Sequence, residues 1–150
     1  MCQKDIRFRG IPLSSQPGEP IVAWVKHGPN VVIDEALTQD WVAKELNAKP
    51  ETNVRVLRVH AFFSTTSIEW TIGYIVMEYI EAPDCTEEDE DVKLVAQAVQ
   101  TLISIRGPSS APGPVGGGVI VHNFFVNDGT STFILKSVEE LQGHVNGVSV

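Results

Sequence analysis

The sequence predicts an α+β fold: an antiparallel sheet carrying one packed helix, then a second helix, a β-hairpin and a terminal helix. Three observations predict it. Apolar runs of strand length recur at 21–26, 54–63 and 71–80. Two stretches, 34–47 and 92–103, place apolar residues at helical spacing. Proline- and glycine-rich breaks separate these runs. The 150 residues suffice for one core. Segments 1–20, 21–82 and 83–150 are therefore read as parts of a single compact domain.

Each element has its own local reason. Residues 10–20, "GIPLSSQPGEP", hold Pro12, Pro17 and Pro20 and read as loop, so the segment 1–20 is largely loop. "IVAWVK" at 21–26 is short, apolar and partly β-branched, which suits a buried strand. "HGPN" turns the chain into a helix over 34–47. Asp34 and Glu35 fall in its first turn, where negative charge suits the helix dipole. Glu35, Gln39, Val42 and Leu46 share one stripe of that helix. "VRVLRVHAFF" at 54–63 reads as a strand with one solvated face, and "TIGYIVMEYI" at 71–80 as a more apolar strand beside it.

The chain then turns acidic, with "TEEDED" at 86–91. Thr86 and Asp89 resemble a capping box that opens the helix, and Val92, Val95, Ala96, Val99, Leu102 and Ile103 follow at helical spacing. A solvated helix start explains these acids better than a calcium site, which needs ligands around a tight glycine turn. Pro108, Pro112 and Pro114 among glycines exclude helix from 106–118. "VIVHNFFV" and "TFILK" flank Asp128-Gly129, a hairpin signal. Ser137 and Glu140 form a second capping box for a last helix with Val138, Leu141, Val145 and Val148 on one face.

Composition narrows function. The net charge of −8 gains nothing from counterion release on a polyanion, so general nucleic-acid binding is disfavoured despite Lys4, Arg7 and Arg9 near the start. No apolar run approaches the ~20 residues of a membrane span, and "MCQKDIRFRG" lacks the apolar core of a secretory signal. Cys2 and Cys85 read as free thiols in a reducing compartment, with the cytoplasm as the expected location. His27, His60, His122 and His144 show no metal spacing. Trp24, Trp41 and Trp70 read as core or interface residues, since no basic residues interleave with them.

Four strings in order, "VAWVKHGPNVVIDEALTQDWVAKEL", "VRVLRVHAFF", "YIVMEYIEA" and "APGPVGGGVIVHNFF…SVEELQGHVN", carry a resemblance. Together they span about residues 20–148. The chain resembles the small lobe, with the start of the large lobe, of the protein-kinase-like superfamily. It is most similar to the aminoglycoside phosphotransferase and choline-kinase branch, in the form common among small fungal kinase-like proteins. The resemblance implies that Lys26 pairs with Glu35 and meets nucleotide phosphates. It further implies that the backbone at Glu78, Tyr79 and Ile80 forms a hinge facing adenine, and that Met77 lines the back of the pocket. ATP is the implied ligand.

Departures from that pattern limit what it implies. Phosphoryl transfer in this superfamily uses an aspartate base, an asparagine and a metal-binding aspartate. Nothing in the chain reads H-x-D-x-x-x-x-N, and "HNFFVND" at 122–128 has the wrong spacing. No catalytic residue and no metal ligand is therefore assigned. "PGPVGGGV" does not open a helix after a strand and is not a phosphate loop. The favoured reading is a kinase-like protein with an incomplete active site that binds ATP or a related nucleotide. The alternative is a non-catalytic interaction or regulatory module, dimeric or bound to a protein partner. A weaker third reading is an unrelated enzyme built on loop 112–118 and His122. In the bland version of the first reading, Lys26 and Glu35 merely staple strand to helix or stand as unpaired surface charges.

Overall fold

A computed structural model describes residues 10–68, 71–82, 85–86, 88–122, 125, 129–131 and 133–147. The elements in order are β1 (Gly10–Ser14), β2 (Ile21–Gly28), α1 (Ile33–Asn47), β3 (Val59–Thr66), β4 (Thr71–Glu78), α2 (Asp89–Ser104) and α3 (Val138–Val145). The four strands form one antiparallel sheet in the order β1-β2-β4-β3. The described residues thus form an α+β fold, with four antiparallel strands and three helices.

The core lies where α1 meets the sheet. Ile75 at the centre of β4 is fully buried, and Val31, Ala36 and Met77 pack with it, backed by Trp24, Leu57 and Phe62. Ala36, Ala43 and Leu46 are the buried positions of α1, a spacing of seven and three that keeps one helix face down. The β2–α1 connection passes so close over β4 that a Cβ at Gly73 would collide with the Val31 carbonyl, so this strand position excludes every side chain. The Asn47 amide, at the end of α1, both donates to the Val56 carbonyl (2.8 Å) and accepts from the Val56 amide (3.1 Å), fixing the path into β3.

Several expectations need correction. Residues 10–14, read as loop, form the edge strand β1. Pro12 is tolerated there because an edge strand has one side without ladder partners. The strand expected over 54–63 begins only at Val59, because Val56 gives both its backbone groups to Asn47. The expected hairpin after residue 118 is described only in part: Val121 bridges Thr130 antiparallel, the His122 amide donates to the Gly129 carbonyl (2.6 Å) and the Ser131 amide to the Ile120 carbonyl (2.8 Å). Val121, Phe133 and Ile134 are exposed, while Phe125 and Leu135 are buried. Asn127 and Asp128 of its turn lie outside the described residues, as do Trp70, Cys2, Lys4, Arg7 and Arg9. The buried Ser131 hydroxyl holds this region, accepting from the Ile120 amide (2.8 Å) and donating to the Phe133 carbonyl (3.0 Å).

The caps differ in detail. Thr86 is joined by Asp91 rather than Asp89: the Asp91 carboxylate accepts from the Thr86 amide (2.7 Å) and hydroxyl (2.9 Å). These two bonds hold the Asp91 carboxyl below its ordinary range. Ser137 caps α3 as expected by accepting from the Glu140 amide (3.3 Å), while the Glu140 carboxylate reaches back to the amide of Lys136 (2.6 Å). The Ser137 hydroxyl also lowers the Glu139 carboxyl. α2 forms where its apolar spacing predicts, but none of its residues is buried.

Candidate functional site

Strand alternation and helix periodicity bring the expected residues together. In β2, Trp24 and Lys26 are two apart and point to the face of the sheet that carries α1. They stand opposite Met77 and Ile75 of β4. Glu35 lies in the first turn of α1, and its carboxylate forms an ion pair with the Lys26 ammonium. The side chains are 42% and 34% exposed, so water reaches both charges.

One turn further along α1, Gln39 donates to the Leu57 carbonyl (3.0 Å) and touches the Met77 sulfur (3.8 Å). Of the predicted stripe Glu35, Gln39, Val42 and Leu46, Glu35 and Gln39 reach sheet-side partners and Leu46 is buried, while Val42 is half-buried on the wall of a cleft beside α1.

The hinge residues fall to different partners. Glu78, the last residue of β4, gives its carboxylate to Arg55 and its amide to the Arg58 carbonyl (2.9 Å). That amide is engaged within the fold. Tyr79 stacks on Trp24, with ring centroids 6.5 Å apart and planes 24° apart. Ile80 is exposed. Met77 is buried in the core and walls a cleft of about 840 Å³ between α1 and α2.

That cleft also takes in Glu35 and Gln39 from α1, Leu102 from α2 and Ile120 beyond it. Lys26, Glu78, Tyr79 and Ile80 lie outside its wall. Glu35 thus stands between two environments, with Lys26 on the sheet and an apolar cleft beside the helix. The segment 113–118 closes against α1: the Val115 amide donates to the Thr38 hydroxyl (3.1 Å), which itself donates to the Asp34 carbonyl (2.7 Å).

Sequence reasoning missed Trp24 as a site residue, although a period of two from Lys26 places it on the same face. It also missed the Arg55–Glu78 pair, for which spacing along the chain gives no signal. His122 is exposed on an irregular segment, and no group of three metal-ligating side chains occurs among the described residues. No helix among the described residues is long and apolar enough to cross a membrane. No protein-family model matches the chain, no curated protein matches it, and no solved structure matches its fold.

Proposed function

We propose that the chain is a kinase-like small-lobe protein that binds a nucleotide such as ATP at the Lys26–Glu35 pair without completing phosphoryl transfer by itself. The observation that carries this reading is the ion pair between a strand lysine and a first-turn helix glutamate, beside the Trp24–Tyr79 ring pair. A lysine ammonium in partial contact with water offers a point charge to phosphate oxygens. Its carboxylate partner orients the ammonium, and the aromatic pair offers a flat apolar surface, with Trp24 two residues from Lys26 on the same face of β2. The strand order and the α1 packing are compatible with the family resemblance.

The test is a thermal-shift titration with ATP, with and without Mg²⁺. A saturable rise in melting temperature that disappears in Lys26→Ala supports the site, because a ligand bound at 100 times its Kd stabilises by about 2.7 kcal/mol. A flat titration sinks it.

A second reading, a non-catalytic interaction module, is favoured by α2. Its Val92, Val95, Val99, Leu102 and Ile103 form an apolar stripe left open to solvent, Ile103 at 77% exposure. Contiguous exposed apolar surface of this kind marks a partner site. A flat nucleotide titration would leave this reading standing.

A further inference from the structure

The two edges of the sheet are unlike. β1 carries Pro12 and slips register between Leu13 and Ser14. Proline and bulges are the devices that keep an edge strand from pairing with another chain. β3 spans eight residues and carries no proline and no Asp, Glu, Lys or Arg. Its one irregularity falls between Val59 and Ala61, so residues 61–66 run regular to the end of the strand. Among the described residues β3 pairs with β4 alone, which leaves its outer row of amides and carbonyls open.

A second observation points to what fills that row. His27, Tyr74 and Phe63 occupy one cross-strand row, His27 opposite Tyr74 and Tyr74 opposite Phe63. Their rings stack in sequence, with centroids 6.0 Å apart for His27–Tyr74 and 4.8 Å for Phe63–Tyr74. The ladder stops at Phe63, which is 49% exposed at the sheet edge.

We propose that two copies of this chain pair through β3, antiparallel about a two-fold axis at Phe63, to make one continuous eight-stranded sheet. With the axis there, Phe63 of each copy faces Phe63 of the other. Phe62 then faces Ser64, Ala61 faces Thr65, and His60 faces Thr66. Opposed residues of an antiparallel pair point to the same face. The ladder therefore continues across the axis as six stacked rings, adding aromatic cross-strand pairing to the new backbone hydrogen bonds. The joint holds no charged side chain of either sign, so the −8 charge of each copy is kept away from its centre. The blunted β1 edge ends the sheet at both sides, so pairing closes at two.

Size sets the strength. The seven paired residues extend about 24 Å, and a sheet is about 10 Å thick, giving roughly 240 Å² of flat contact per copy. A stable interface buries about 800 Å² per partner. The dimer is accordingly weak and reversible, with association in the micromolar to millimolar range. It is independent of the proposed nucleotide site, and Lys26→Ala leaves it unchanged.

Sedimentation equilibrium of the full chain from 5 µM to 1 mM tests this. The expected result is a mass rising from the 16.4 kDa of one chain toward twice that value. Phe63→Lys should hold the protein monomeric across the range with an unchanged circular dichroism spectrum. A second measurement works in a Cys2→Ser, Cys85→Ser background. There, Phe63→Cys should form an intermolecular disulfide at least tenfold faster than Ile11→Cys on the other edge, because opposed residues have Cα atoms about 4.5–5.5 Å apart. A monomer at 1 mM overturns the proposal. So does a dimer that survives Phe63→Lys, a mass that climbs past two copies, or equal cross-linking at the two edges.

Discussion

Neutralising Lys26 and Glu35 singly and together separates a structural staple from a charge kept for a ligand. The bare attraction of two unit charges about 4 Å apart is about 1 kcal/mol in water and about 4 kcal/mol at an effective dielectric of 20. With side chains 42% and 34% exposed, this pair sits toward the watery limit. Fixing a long lysine side chain also costs rotamer entropy of up to about 2 kcal/mol. The net coupling expected from a double-mutant cycle of Lys26→Met and Glu35→Gln is therefore about 0–1 kcal/mol, falling as salt rises. In a chain of this length that corresponds to a change in melting temperature of at most about 4 °C. The assay is urea unfolding of the four proteins, at 20 mM and 500 mM NaCl. A coupling above about 2 kcal/mol, or one indifferent to salt, would refute the reasoning. It would mean that the pair is desolvated and structural, and that displacing it for a phosphate is too costly.

Two further outcomes follow from the same structure. Ile75→Ala removes a fully buried side chain at the centre of the core and should destabilise by about 2–5 kcal/mol in urea melts, against under 1 kcal/mol for Val92→Ala on the open face of α2; equal losses would contradict the placement of the core. Asp91 should titrate below ordinary aspartates by carbon-detected NMR, and Thr86→Val should raise it toward them. Because its folded value is depressed, the cap's contribution is complete above the unfolded aspartate value and is lost as pH falls through the folded one. The start of α2 should loosen only in that acid window, and an Asp91 that titrates normally in the unaltered chain would count against the cap.

What the sequence disclosed depended on whether one local rule decided the outcome. β2, α1 and β4 were legible because periodicity and burial agree in them: Val25, Ile75 and Leu46 are apolar, correctly spaced and buried. The Lys26–Glu35 pair was visible only through the order of motifs, since nine residues of separation carry no contact signal. β1 was hidden because Gly10, Pro12 and Ser14 read as loop, and only the neighbouring β2 makes a strand of them. Around Asp128-Gly129 the turn chemistry foretold the antiparallel pairing that Val121 and Thr130 keep, but not which apolar side chains are covered: Phe125 and Leu135 are buried, Val121 and Ile134 exposed. In α2 the spacing foretold the helix and could not foretell that its stripe stays uncovered, which depends on what else packs there.

This division bears on the site itself. The free energy of the first half of the chain is concentrated in Ile75, Met77, Val31 and the buried face of α1, held from the polar side by Gln39 and Asn47. The ion pair adds little to that total. On the nucleotide reading proposed above, Lys26 would leave Glu35 for a phosphate at a cost of about 0–1 kcal/mol while α1 stays in place. Breaking a fully buried pair would instead cost about 3–5 kcal/mol. The half-exposure of Lys26 and Glu35, which makes the pair a poor staple, is what the proposed ligand contact draws on.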